Sequence, residues 1–494
     1  MSAAPSTAGK FVKHSTIYAI GNVSRQLVGF LMLPLYTQYL TPADYGVVGL
    51  LTFALALLEP FFGARLGDAT LKFYYEETEE ARRRKVIATS FIITGVVSTV
   101  VALSAFATRN SISHLLFGTT DYALPVGLFA FVFIGQAIEY YGLTFIRIQQ
   151  KPTLFVTINL LKLAIQLFMN VWLIVYMRLG VTGVIISGTV STCLFALGLA
   201  IYTAYYNGLR FDADTARRML AFSWPLWLAS LATLYIYSSN RYYLRIFASM
   251  DEVGYFELAS KFAMILSLVI WQPFTQFWET ERFKHYRKER APPIFSSVFA
   301  CLTTLLFIAA LGISIFSAPI IQLMAAPAFH ASTWVVPFLC FGGLFGFLSM
   351  YTYFSFLVTE RTGMIGRNNY ITVAIVTALN LLLIPHFGFM GGGAAFFFAL
   401  LIQFLLVRHA SKRFYDMGQH LGPFFAMLGI AMLGYVCANV IFMHAQIWLR
   451  LAWQVLVFGI FAALLAGVLL KTSVDREQLM RFLKSVVPFA RRLG

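Results

Sequence analysis

The side chains of this chain that could bind an ionic ligand are charged residues inside long apolar segments. A charge at the middle of a bilayer costs at least ~2.5–3.5 kcal/mol, so it usually faces a cavity or a partner. Both signs occur at this depth, as Arg25, Lys162 and Lys261 and as Glu59, Glu139 and Glu257. Because the two signs are equally represented, charge counting alone does not establish an anionic ligand.

Arg25 lies in the first apolar segment, on a helical face that also carries Asn22 and Tyr36. Its guanidinium is a planar fork that suits a phosphate or a carboxylate. Two interpretations stay open. Arg25 and Asn22 bind a ligand in a cavity, or Arg25 forms an internal ion pair with Glu59 or Glu139.

A second polar face runs along the fifth segment. Residues three or four positions apart share one face of a helix, and this spacing unites Asn159, Lys162, Gln166 and Asn170. Four polar side chains on one face are not expected to point at lipid. We predict that they line a water-filled cavity, and the alternative is a cluster of hydrogen bonds between helices.

The acidic residues offer two kinds of chemistry. Glu257 lies four residues before Lys261, which favours an ion pair along one helix. This pair is either structural or part of a binding site. Glu59 and Glu139 could carry a proton or a cation in a coupling step, or they could simply offset Arg25 or Lys162.

These residues must be positioned by membrane helices. The hydrophobic fraction is 59% and the charged fraction 12%, against about 25% charged residues in soluble domains. A helix needs about 20 apolar residues to cross a bilayer. We therefore predict an all-α polytopic membrane protein with about 14 transmembrane helices, near residues 16–39, 44–64, 86–108, 122–146, 153–177, 181–206, 221–246, 254–278, 293–317, 333–357, 367–385, 389–409, 422–444 and 447–470.

Positive charge sets the predicted orientation. Of the 37 Lys and Arg residues, 29 fall in the two tails and in every second loop. Cytoplasmic loops retain Lys and Arg, so both termini are expected in the cytoplasm. The basic runs flank membrane segments, which favours a phospholipid bilayer over nucleic acid as the cause of the net charge of +16.

The two halves of the chain show a weak repeat at an offset of about 208 residues. Asp44-Tyr45-Gly46 corresponds to Glu252-Val253-Gly254, and Gly180 corresponds to Gly388. We predict two parallel six-helix repeats, a transporter architecture. The predicted domains are residues 1–206, residues 215–415, two additional helices at 420–471 and a basic cytoplasmic tail at 472–494.

The sequence offers little for catalysis. The four cysteines are far apart in apolar segments and suggest neither a metal site nor disulfides. The longest predicted outer loops, 109–121 and 318–332, are too short for the catalytic domain of a polysaccharide polymerase or ligase. We predict a protein that is not an enzyme and that needs no cofactor or metal.

Several local motifs resemble one family of transporters. The segment Gly21 to Thr37, followed by Tyr39-Leu40-Thr41-Pro42-Ala43-Asp44-Tyr45-Gly46, resembles the opening of Wzx-type polysaccharide flippases of the multidrug/oligosaccharidyl-lipid/polysaccharide (MOP) exporter superfamily. Phe222-Ser223-Trp224-Pro225, Asn240-Arg241-Tyr242-Tyr243 and Leu379 to Pro385 are similar as well. Relatives often carry Asp where this chain has Asn240, which puts an ionic role there in doubt.

The resemblance implies two lobes around a V-shaped cavity and the movement of lipid-linked oligosaccharide across the bacterial inner membrane. The cargo would be an undecaprenyl-pyrophosphate repeat unit, carried by alternating access for surface polysaccharide biosynthesis. Arg25, Asn22, Lys162, Asn159, Gln166 and Lys261 would bind it. Glu59, Glu139 or Glu257 would form ion pairs or couple transport to H⁺, Na⁺ or the membrane potential. Polymerase or assembly proteins are possible partners.

The residues are also compatible with two other transporter functions. A peptidoglycan-precursor flippase is close to the predicted function. A cationic-drug antiporter would require a carboxylate deep in the first helix, which has Arg25 and no acid. A scaffold for polysaccharide assembly is a further alternative.

Overall fold

A computed structural model describes residue 30 and residues 32–62, 64–286, 291–441 and 447–471. Within these ranges every regular element is helical, which confirms the predicted all-α class. The α-helices are α1 Leu33–Tyr39, α2 Pro42–Phe62, α3 Ala64–Glu76, α4 Glu80–Ala107, α5 Arg109–Phe117, α6 Ala123–Ile148, α7 Pro152–Asn170, α8 Gly180–Asn207, α9 Ala213–Ser238, α10 Asn240–Phe247, α11 Met250–Leu266, α12 Gln272–Tyr286, α13 Ala291–Met324, α14 Val336–Thr352, α15 Phe354–Val358, α16 Gly363–Ser411, α17 Leu421–Val440 and α18 Ile447–Lys471.

Ten helical stretches of the described chain are long and apolar enough to cross a membrane. One of them, α16, has 49 residues, or about 73 Å at 1.5 Å per residue. This is more than twice the bilayer core. Gly388 interrupts it with a φ of 53°, and a Cβ at Gly391 would clash with the carbonyl oxygen of Leu383. The two halves therefore fold against each other, as the predicted spans 367–385 and 389–409 require.

Other boundaries differ in detail from the sequence prediction. The predicted span 221–246 is divided, because α9 ends at Ser238 and α10 begins at Asn240. The predicted outer loop 109–121 contains the helix α5, which ends where Gly118 adopts a φ of 78°. The predicted first span, 16–39, lies outside the described residues except for its end.

The chain packs as two compact units, residues 1–257 and 258–494. Their boundary falls within α11, whereas the predicted repeat boundary lies between residues 206 and 215. The repeat concerns duplication of the sequence, so the four predicted domains stay predictions. The tail 472–494 lies outside the described residues.

In the first unit, α2 and the start of α11 approach backbone to backbone. A Cβ at Gly254 would clash with the carbonyl oxygen of Pro42, and one at Gly46 would clash with that of Met250. Only glycine permits this approach. The contact places Glu257 over Gly49, whose added Cβ would lie 3.3 Å from the Glu257 side chain.

The variant Gly254→Ala is expected to destabilise the protein by about 1–3 kcal/mol, because the new methyl group meets backbone and forces α2 and α11 apart. The matched control is Gly188→Ala, since a Cβ at Gly188 meets nothing within 4 Å. Thermal unfolding of the detergent-solubilised protein measures both. Equal melting temperatures for the two variants would contradict the close packing.

The second unit contains a buried network of polar side chains. The Tyr353 hydroxyl donates to Asn369 Oδ1 at 2.8 Å, and Gln403 Nε2 donates to both groups at 3.1 and 3.2 Å. Asn369 and Gln403 are buried, so these bonds satisfy groups that would be costly to leave unpaired. The network links α16 to the end of α14.

Candidate functional site

The first ion pair of the candidate site joins two neighbouring helices of the first unit. Lys162 Nζ, on α7, lies 2.5 Å from Glu139 Oε2, on α6. Their side chains are only 15% and 7% exposed. Of the partners considered for Glu139 in the sequence, the structure pairs it with Lys162. The pair neutralises both charges inside the helix bundle.

The other polar residues on this face of α7 differ in the partners of their hydrogen bonds. Asn170 Nδ2 donates to the Tyr36 hydroxyl at 2.8 Å, and the Ser187 hydroxyl donates to Asn170 Oδ1. Asn159 is buried and donates to the carbonyl oxygen of Phe155 at 2.7 Å. Asn170 therefore forms hydrogen bonds between helices, as in the alternative interpretation, whereas Asn159 bonds within its own helix. Gln166 is half-buried, like Lys162.

The second ion pair lies at the junction of α10 and α11. Arg241 Nε donates to Glu257 Oε2 at 2.8 Å, with side-chain exposures of 13% and 5%. The Arg241 guanidinium also lies 5.6 Å from the centroid of the Phe256 ring. The sequence prediction joined Glu257 to Lys261 and did not consider Arg241 as a partner. Lys261 is half-buried on the same helix as Glu257.

Arg241 at the end of the seventh predicted segment thus has a carboxylate partner, which α11 supplies. Asn240, which stands where relatives often have Asp, is fully buried. Glu257 supplies the negative charge from α11. The one sequence signal that could have suggested this pair is that Glu257 follows Arg241 across a short connection between two helices.

Two stretches of π-helix accompany the polar residues. Val171–Tyr176 follows Asn170 directly, and Ser267–Trp271 follows Lys261 within two turns. Isolated π-turns in α-helices are rare and occur frequently at functional sites. The apolar sequences of both stretches carry no signal for them.

Three predicted site residues are not placed by the structure. Asn22 and Arg25 lie outside the described residues, and Glu59 is on α2 with its side chain outside them. Among the side chains that are described, no group of His, Cys, Asp or Glu could hold a metal ion. The two buried ion pairs allow exchange of charge. At each pair an entering anion would compete with the carboxylate for the cation, and a proton would compete with the cation for the carboxylate.

The comparisons with known proteins agree on the fold of the chain. A family model described as "Polysaccharide biosynthesis protein" matches residues 11–278, more than half of the chain. No curated protein matches the sequence. The chain is similar to the solved structure of a lipid II flippase MurJ in an inward closed conformation, with a TM-score of 0.72, 12% identity, and coverage of 92% of this chain and 100% of that one.

Two further structures share this fold at lower similarity. An inward-facing multidrug resistance MATE family transporter of the MOP superfamily has a TM-score of 0.60 and 14% identity, covering 80% of this chain and 98% of its own. A MOP superfamily transporter from Pyrococcus furiosus has a TM-score of 0.50 and 14% identity, covering 82% and 96%. The chain therefore has the fold of MOP superfamily transporters and is a multi-pass membrane protein.

Proposed function

The chain belongs to the polysaccharide biosynthesis protein family, and on that premise we propose that it is a flippase for undecaprenyl-pyrophosphate-linked oligosaccharide. It carries repeat units from the inner to the outer face of the bacterial inner membrane, with both of its termini in the cytoplasm. The observation that carries the proposal is the family match over residues 11–278, which includes both buried ion pairs.

The proposed cargo has three parts with different solvation needs. The pyrophosphate and the sugars require a polar environment, while the polyprenyl tail stays in lipid between helices. Arg25, with Asn22, is assigned to the pyrophosphate, because guanidinium binds phosphate in two parallel hydrogen bonds. Lys162, Asn159, Gln166 and Lys261 extend the polar surface for the head group. Alternating access moves this surface from one side to the other.

The pair of Glu139 and Lys162 suggests how transport is coupled. When a proton binds Glu139, the carboxylate no longer neutralises Lys162, and the ammonium becomes available to the pyrophosphate. Release of the proton restores the pair and expels the anion. Glu59 and Glu257 offer the same chemistry elsewhere, and Na⁺ could replace the proton. The membrane potential adds ~2.3 kcal/mol per charge per 100 mV.

Reconstitution in liposomes tests the proposed function. The purified chain is incorporated with undecaprenyl-pyrophosphate that carries a fluorescent oligosaccharide, and a membrane-impermeant quencher reports the outer-leaflet fraction. The expected result is that the protein lets the quencher reach probe from both leaflets, while empty liposomes protect the inner half. Equal protection in both preparations would refute the flippase function. Adding an imposed pH gradient, and then a Na⁺ gradient, identifies the coupling ion.

A peptidoglycan-precursor flippase is the second candidate. The lipid II flippase structure covers 92% of this chain, whereas the multidrug transporter covers 80%. Complementation of a strain depleted of its essential lipid II flippase discriminates between the two cargoes. Growth would favour the precursor, while lack of growth together with activity on the oligosaccharide probe would favour the polysaccharide repeat. A drug antiporter would instead confer resistance to cationic drugs.

A further inference from the structure

Arg282 lies on α12 beyond the apolar stretch Met250–Gln276, in the direction of the basic loop that follows. Side chains of a helix tilt toward its N-terminus, so the guanidinium points back toward the bilayer. Its Cζ atom lies 5.0 Å from the ring centroid of Phe354, which is 1% exposed and belongs to the apolar stretch Val336–Val358. The positive charge is therefore level with the end of a membrane span.

The Arg282 guanidinium has no hydrogen bond or ion pair with any described residue. Its Nε atom is shielded from solvent and unpartnered. Burial lowers the pKa of Arg282, and the charge of Glu279 offsets this only in part. In contrast, Arg408 in the same unit donates through Nε to the carbonyl oxygen of Gln419 at 3.1 Å. A partly desolvated charge is normally paired, and within the described ranges Arg282 has no acceptor.

A second polar group without a described partner lies near the aromatic rings that surround Phe354. The Tyr415 hydroxyl is shielded and has no hydrogen-bond partner among the described residues. Its ring lies 5.6 Å from that of Tyr286 and 6.1 Å from that of Phe295. Phe295 in turn stacks on Phe354 at 5.3 Å. A cation and a hydroxyl donor thus flank one aromatic group at the membrane boundary.

We propose that Arg282, assisted by Tyr415, binds the phosphate of a membrane lipid. The guanidinium offers two parallel donors to phosphate oxygens. Aromatic and basic residues together are typical of the head-group level of a bilayer. The phosphate belongs either to an anionic phospholipid or to a polyprenyl pyrophosphate. This site is additional to the ion pairs of the first unit and does not depend on the proposed flippase function.

Native mass spectrometry of the full chain in detergent tests the site, with phosphatidylglycerol and undecaprenyl pyrophosphate titrated separately. We expect Arg282→Gln to weaken binding of one lipid by about tenfold, since both charge-assisted bonds are lost. The matched control is Arg361→Gln, because Arg361 is exposed and stacks on Phe414 at 5.5 Å from the ring centroid. The control should bind like the wild type.

The lipid that responds identifies the source of the phosphate. Unchanged binding of both lipids by Arg282→Gln would overturn the proposal. The role of Arg282 would then be limited to its cation–π contact with Phe354. If Arg282→Gln does not fold, Arg282→Met and Tyr415→Phe replace it, since both keep much of the side-chain bulk and remove the donors. Wild-type binding by both of these folded variants would overturn the proposal equally. Flipping activity is measured separately, so failure here leaves the proposed function intact.

Discussion

The variant Lys162→Met is expected to destabilise the protein by about 3–5 kcal/mol, because it leaves the Glu139 carboxylate buried without its positive partner. Methionine keeps the length and flexibility of lysine, so the change removes charge rather than packing. The Glu139 side chain is 7% exposed and cannot be rehydrated without opening the helices. Thermal and chemical unfolding of the solubilised protein measures the loss.

The double variant Lys162→Met with Glu139→Gln is expected to recover most of that stability, since no uncompensated charge remains. An exposed pair provides the control. Arg84 and Glu80 are 3.4 Å apart with side chains more than half exposed, so Arg84→Met should cost less than about 1 kcal/mol. If the single and double variants at the buried pair were equally unstable, the two charges would not be energetically coupled. If the pair also couples transport, the stable double variant should no longer respond to a pH gradient.

The variant Arg25→Ala is expected to abolish surface polysaccharide while the protein still reaches the membrane. The proposed function assigns the pyrophosphate to this guanidinium, and alanine offers neither charge nor hydrogen-bond donors. Membrane abundance is measured by immunoblotting, and the polymer is measured by gel electrophoresis of surface polysaccharide. Flipping of the fluorescent probe in liposomes should fall to the level of protein-free vesicles.

Two further variants show whether the shape of the Arg25 side chain matters. Arg25→Lys keeps the charge but loses the planar fork, so activity is expected to fall without disappearing. Arg210→Ala removes an exposed arginine between α8 and α9 and should leave transport unchanged. Normal polymer in a strain that carries only Arg25→Ala would remove Arg25 from the mechanism.

The membrane class and most of the helices follow from composition and local pattern. An apolar run long enough to cross the bilayer must become a helix there, because lipid offers no partner for backbone polar groups. This local constraint explains why the predicted spans 86–108, 122–146 and 447–470 agree with α4, α6 and α18. It also explains why the predicted spans 367–385 and 389–409 correspond to the two halves of α16 on either side of Gly388. The split between α9 and α10 and the π-turns were not predictable, since they depend on packing.

The sequence by itself determined which charges stand inside apolar segments, because hydropathy shows where each of them lies along the chain. Only the tertiary structure decided their partners. Lys162 and Glu139 are 23 positions apart, and Arg241 and Glu257 belong to different helices, so each contact depends on helix rotation and crossing. Helix rotation and crossing depend in turn on packing, such as the close backbone approach of Gly254 to Pro42, which local periodicity does not predict.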